Sequence, residues 1–234
     1  MHHVQRREVL ALLAGALVAP RLRAAAALRP ARDAVDHVVI GISDLERGMA
    51  AIEERTGVRP AIGGSHPGRG TWNALFSLGR GQYAELIAPD PNQKETKDAY
   101  GLQAFAEPRL LIWAASTPDI DALAARLKAA GRTEIEVRAG SRIRPDGHRL
   151  GWRTLSTTTP DGLVPFFIQW DAGTIHPSSD SPAGCTLASL EFESPNAAEA
   201  EQALAAVGLA ATVRKAETPR LKLRLATPRG EVAF

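Results

Sequence analysis

The stretch Val35-Asp36-His37-Val38-Val39-Ile40-Gly41-Ile42 opens the part of the chain that decides the fold. It alternates: His37, Val39 and Gly41 share one face, and Val38, Ile40 and Ile42 the other, which is the period of a strand. Ser43 or Asp44 then suits a helix N-cap, where a side-chain oxygen takes a free backbone N–H. Leu45, Met49, Ile52 and Thr56 recur at helical spacing, and Gly57 suits the left-handed stop. The second strand face is expected to lie under this helix. Residues 59–62 are expected as a short strand. Residues 63–70 are expected as a loop over the sheet, because glycines and a proline break regular structure there. They lack the Gly-x-x-x-x-Gly-Lys-Ser/Thr spacing of a phosphate-binding loop.

Residues 71–78 read as a strand with Thr71, Asn73, Leu75 and Ser77 on one face. Gly79-Arg80-Gly81 is a tight turn. Residues 82–88 form the last strand, with Tyr83, Glu85 and Ile87 on one face, and Pro89 and Pro91 end it. The order is strand, helix, strand, strand, strand.

That order and the residues Asp36-His37-Val38-Val39-Ile40, His66-Pro67-Gly68-Arg69-Gly70-Thr71-x-Asn73 and Glu85-Leu86-Ile87-Ala88-Pro89 resemble the glyoxalase-like domain family. Its superfamily is the vicinal oxygen chelate group. Residues 141–152 and 165–170 resemble it as well. The resemblance implies an α+β fold of repeated βαβββ modules, each a cupped sheet, two of them enclosing a cavity. In metal-using members, first and last strands of modules supply His and Glu ligands to a divalent ion. On this chain those positions are His37 and Glu85.

An internal repeat supports the modules independently. A strand, a Ser, an amphipathic helix and a Gly recur as Ser43 to Gly57, Ser116 to Gly131 and Ser194 to Gly208. Strand-like pieces follow the second copy at 134–138, 149–156 and 164–170, and the third at 211–214, 221–226 and 230–234. The expected organisation is a leader over 1–27, paired modules over 33–172 and a third βαβββ-like module over 185–234. A half-buried sheet must find a partner. The odd third unit is expected either to cap the pair or to form the contact of a homodimer. Residues 91–108 are expected to loop across the sheet, and 173–184 to link to the third unit.

The later modules do not repeat the candidate ligands. Aligning residues 42–43 with 115–116 sets Leu110 opposite His37, and the third copy sets Ala188 there. Gln169 is the only amide on the last strand of module two, and an amide is a poor ligand for zinc or iron. His148 and His176 flank strands and could reach inward. A transition-metal site generally needs three protein ligands, and the sequence names two. A divalent ion on His37 and Glu85, of open identity, therefore stands beside a metal-free site in which Glu85 abstracts a proton next to a carbonyl. Candidate substrate-binding residues are His66, Arg69, Asn73, Trp152, Gln169 and Trp170. Arg69 brings a guanidinium to an anion, and the aromatics supply apolar wall. Arg142, Arg144 and Arg149 form a basic strip better suited to a carboxylate-bearing metabolite than to nucleic acid. No Gly-x-Ser-x-Gly is present, and Cys185 has no His beside it, so nothing points to a hydrolytic triad.

The chain has 234 residues and one cysteine, so no intrachain disulfide can form. Its formal charge is +2, but the first 25 residues hold Arg6, Arg7, Arg21, Arg23 and Glu8. The remainder carries 24 basic and 25 acidic side chains, with no excess to attract nucleic acid. Arg6-Arg7, the apolar run 9–19 and Ala24–Ala27 read as a signal segment. The run is shorter than the roughly 20 residues a membrane-spanning helix needs, and the paired arginines suggest twin-arginine export. The expected location is periplasmic or extracellular, with no membrane association once the segment is removed. The expected function is a glyoxalase-like small-molecule enzyme of lyase, isomerase or dioxygenase type. The alternative is a metal-free protein that sequesters a small ligand in the same cavity.

Overall fold

The computed structural model describes residues 27–93, 100–159 and 161–234. The expected leader, up to residue 26, lies outside the described residues, as does part of the loop before residue 100. After the short β1 (Arg29–Pro30) and α1 (Ala31–Ala34), the first module comprises β2 (Val35–Gly41), α2 (Leu45–Thr56), β3 (Ala61–His66), β4 (Thr71–Gly79) and β5 (Gln82–Pro89). The second comprises β6 (Arg109–Ser116), α3 (Ile120–Ala129), β7 (Val137–Ile143), β8 (Arg149–Leu155) and β9 (Phe166–Trp170). The C-terminal unit holds β10 (Thr186–Ser194), α4 (Ala197–Ala206), β11 (Leu209–Ala210), β12 (Val213–Lys215), β13 (Arg220–Thr227) and β14 (Gly230–Ala233).

The local signals act as their chemistry requires. Asp44 caps α2, its side chain accepting the Arg47 N–H, and Gly57 ends the helix at φ 78°. Val38, Ile40 and Ile42 are fully buried against Leu45, Met49 and Ile52. Each such side chain removed from water contributes about 1.5–3 kcal/mol, which fixes the register of β2 against the helix.

Two corrections concern strand bounds. Residues 63–66 are not loop: β3 runs through both glycines to His66 and pairs with β4. The strand expected at 134–138 instead begins at Val137 and pairs with β8 as a hairpin.

Eight strands form one curved sheet in the order β3-β4-β5-β2-β6-β9-β8-β7. In each module the last strand lies parallel beside the first: His37 stands opposite Tyr83, and Val39 opposite Glu85, while Ala114 stands opposite Phe166. The modules join edge to edge through antiparallel β2 and β6. The ends of the sheet approach each other, because the Arg142 guanidinium on β7 donates to the Gly63 carbonyl on β3. A Cβ on Gly64 would lie 2.7 Å from the Ile143 carbonyl oxygen, and Gly64 sits at φ 131°, so glycine is what lets the rim close.

The third unit has the expected order of elements but joins them differently. Its sheet runs β12-β10-β13-β14, with the first strand inside rather than beside the last. That sheet contributes Leu187, Phe192, Leu223 and Leu225 to the same core as the two modules. Trp113 on β6, fully buried, meets Phe192 with ring centroids 5.7 Å apart. The unit therefore covers the convex face of the cup and leaves the concave face free.

Candidate active site

The concave face encloses a cavity of about 550 Å³. β2 contributes His37 and Val39, β5 contributes Tyr83, Glu85 and Ile87, and module two contributes Trp152, Phe166 and Trp170. It opens into a wider, more polar mouth of about 1170 Å³ edged by residues 130–136. The opposite end is crossed by the linker, whose Ser178 and Pro182 carbonyls accept hydrogen bonds from Ser77.

His37 is held by its sequence neighbour. The pairing of β2 with β6 shifts register between Val35 and His37, the signature of a bulge that re-aims a side chain. Asp36, which strict alternation would send to the convex face, thereby reaches the same side as His37. Its Oδ1 accepts from His37 Nδ1 at 2.7 Å, and its Oδ2 accepts from Trp170 Nε1 at 3.1 Å and His176 Nε2 at 3.2 Å. His176 Nδ1 in turn accepts the Ser178 backbone N–H, which is consistent with a proton on its Nε2. Burial pushes the Asp36 carboxyl up, but the hydrogen bonds from His176 and His37 outweigh it and bring the value down to about 2. An ionised Asp36 holding Nδ1–H fixes the His37 tautomer and aims Nε2 away from it. That nitrogen lies 3.6 Å from Glu85 Oε2. The ring stacks on Tyr83 with centroids 4.6 Å apart.

Glu85 is buried on β5. Its Oε1 accepts the Asn73 amide at 2.7 Å, and His66 Nε2 lies 3.4 Å from the same oxygen. Burial raises the carboxyl; His66, His37, the Asn73 amide and Arg142 lower it, and the net lies below the usual carboxylate range. Burial holds His66 below the usual histidine range, a shift that neighbouring Glu85 opposes. Burial also drives the Tyr83 phenol well above its ordinary value, so Tyr83 is a neutral wall.

The sequence candidates separate into three groups. His37, Glu85, His66, Asn73, Arg69, Trp152 and Trp170 all line the cavity. His66 and Asn73 are engaged with Glu85, not with a loop crossing the sheet. Gln169 points to the other face: its Oε1 accepts the Ile120 N–H at 2.8 Å, at the start of α3. The expectation of substrate contact there fails because Phe166, Ile168 and Trp170 take the inward positions of β9 and Gln169 alternates outward. His148 is exposed beside Asp146, whereas His176 reaches Asp36. Composition carries no signal for the role of Asp36, since only the bulge brings it round.

The donor set does not fit a three-ligand ion site. Where module one offers His37 and Glu85, module two presents Ile112, Phe166 and Ile168. His66 Nε2 and Glu85 Oε1 both accept the Asn73 amide, which leaves His37 Nε2 and Glu85 Oε2 as the two free ligand atoms. Among the described residues no group of three or more His, Cys, Asp or Glu side chains is arranged to hold a metal.

A cupped sheet of paired βαβββ modules around a cavity is the vicinal oxygen chelate-like fold. Residues 35–208 match the model of the glyoxalase-like domain; the chain belongs to that family, which is in general one of small-molecule enzymes. No curated protein matches it. A hypothetical protein from Staphylococcus aureus has a similar fold, at 16% identity over 80% of this chain and 87% of that one, with TM-score 0.59. Methylmalonyl-CoA epimerase from Mycobacterium tuberculosis aligns at 18% identity over 62% of this chain and 90% of that one, with TM-score 0.41. A point variant of the Streptomyces coelicolor methylmalonyl-CoA epimerase, in complex with 2-nitronate-propionyl-CoA, aligns at 18% identity over 61% of this chain and 97% of that one, with TM-score 0.41.

Proposed function

We propose that this protein is a small-molecule enzyme that moves a proton at a carbon next to a carbonyl group, as an isomerase or lyase does. One observation carries the reading. His37 Nε2, with its other nitrogen tied to an ionised Asp36, stands 3.6 Å from Glu85 Oε2 inside a cavity of ligand size. Glu85, as carboxylate, takes the proton from carbon; the C–H electrons pass to the carbonyl oxygen as an enolate. His37 gives an Nε2 proton to that oxygen while its Nδ1–H stays hydrogen-bonded to Asp36. Return of a proton to carbon, on either face or at the neighbouring atom, completes an epimerisation or isomerisation. His66 and Asn73 position Glu85. Trp152 and Trp170 supply wall, and Arg69 stands at the mouth. No step is routed through an ion, since the residues present do not make a three-ligand site. Metal content after purification without chelator reads whether His37 and Glu85 hold a divalent ion.

The experiment is hydrogen exchange. The protein is incubated in D2O with a panel of small carbonyl compounds, and deuterium entry next to the carbonyl is followed by NMR. Exchange is expected with the wild type, falling at least about 100-fold in Glu85→Gln and in His37→Ala. Tight binding without exchange across the panel would support the second reading, a sequestering protein. That reading is favoured by the apolar inner face of β6 and β9.

Export by the twin-arginine route, a periplasmic or extracellular location and a homodimer also stand as proposals. A reporter fused to residues 1–27 should be exported, and changing Arg6 and Arg7 to Lys should stop it. Light scattering reads the oligomeric state.

A further inference from the structure

The arginines near the cavity have different fates. Arg144 pairs with Asp180 and Asp146, Arg153 with Asp121, and Arg138 with Glu136. Arg142 does none of this. It is 4% exposed and lines the cavity, yet no carboxylate lies within ion-pairing distance of it among the described residues. Its one side-chain hydrogen bond is to the Gly63 carbonyl, although a guanidinium carries five donors. Buried arginines are almost always paired, because an uncompensated charge away from water is costly.

The alternation of β7 builds the opening. Arg138, Gly140 and Arg142 fall on the same face of that strand. A Cβ on Gly140 would lie 2.5 Å from the Trp152 indole nitrogen, so the missing side chain admits the indole between the two arginines. Arg69 lines both the cavity and its mouth, also without an ion pair among the described residues. Two guanidiniums without an ion pair among the described residues thus line a space walled by Trp152, Phe166 and Trp170.

We infer that Arg142, assisted by Arg69, is a carboxylate-binding site, and that the ligand of the cup is a small organic acid with an apolar or aromatic body. The free edge of the Arg142 guanidinium takes the carboxylate through two parallel N–H···O bonds, and the apolar body lies on the tryptophans. This rests on the cavity being the ligand site of the proposed function, but not on proton transfer occurring there.

The test compares phenylacetate with its neutral isostere phenylacetamide, by calorimetry and by quenching of tryptophan fluorescence. Wild type is expected to bind the acid at least about tenfold more tightly than the amide. Arg142→Gln should bring the two to parity, and Arg69→Gln should reduce the ratio less. Arg142→Lys keeps the charge without the fork and should retain part of the preference, which covers the case in which Arg142→Gln, losing the Gly63 bond, fails to fold. Glu85→Gln removes a carboxylate whose charge acts on Arg142 and should not lower the preference. Equal binding of acid and amide by the wild type, binding of neither, or an undiminished preference in folded Arg142→Gln overturns the inference. If the preference holds in Glu85→Gln while no carbonyl compound exchanges with D2O, proton transfer falls and the carboxylate site stands.

Discussion

Asp36 and His37 are consecutive residues on one strand, yet their side chains meet, with Asp36 Oδ1 2.7 Å from His37 Nδ1. A regular strand would send them to opposite faces. The register shift against β6 is what permits the contact, and it converts an isolated histidine into one with a fixed tautomer and a held counter-charge.

Asp36→Asn should alter the acid end of the stability curve. The folded value of about 2 lies below the ordinary 3.8, so the ionised carboxyl stabilises the fold above the ordinary value. That contribution, about 2 kcal/mol, is lost as pH falls through the folded value. Urea unfolding between pH 5 and pH 2 should show this loss in the wild type and not in the variant. A wild-type curve parallel to that of the variant would refute the assignment.

Asn73→Leu removes the amide that donates to Glu85 Oε1. The Glu85 carboxyl should then rise, because burial remains and one opposing contact is gone. As the active form is the carboxylate, the acid limb of the pH–rate profile for hydrogen exchange should move to higher pH. An unmoved limb would show that Asn73 does not tune Glu85.

Gly63→Ala should loosen the seam of the cup. The added methyl would sit 2.3 Å from Asn73 Oδ1 and 3.2 Å from an Arg142 nitrogen. Relieving the first contact means moving β3 or turning the amide away from Glu85, at a cost of about 1–3 kcal/mol. Thermal unfolding reads the stability, and phenylacetate affinity should fall with it.

Gln169→Leu separates the two faces of β9. It leaves the Ile120 N–H at the start of α3 without its acceptor, costing about 1 kcal/mol. Binding of phenylacetate should not change. A loss of affinity with no loss of stability would return Gln169 to the cavity.

Local chemistry made much of module one legible. The cap at Asp44, the stop at Gly57, the alternation of β2 and β5 and the inward position of Glu85 are all written in nearest-neighbour patterns. The bounds of β3 were not, because Gly63 and Gly64 carry the composition of a loop and become strand only through pairing with β4, where Ile62 stands opposite Ala74 and Gly64 opposite Asn73. Gln169 was misplaced because polarity on an apolar strand does not say which face is inside.

The sequence by itself determined the order of elements, the strand-helix repeat and the two inward polar groups His37 and Glu85, since periodicity and turn residues act over a few positions. Only the tertiary structure decided what surrounds them. Asp36 is turned by a bulge against β6, His176 arrives from 140 positions away, and Arg142 faces the cup from the far edge of the sheet. It also decided that the C-terminal sheet covers the convex face. These are contacts between segments distant in the chain, fixed by the curvature of eight strands and the burial of a shared core, and no local pattern encodes them.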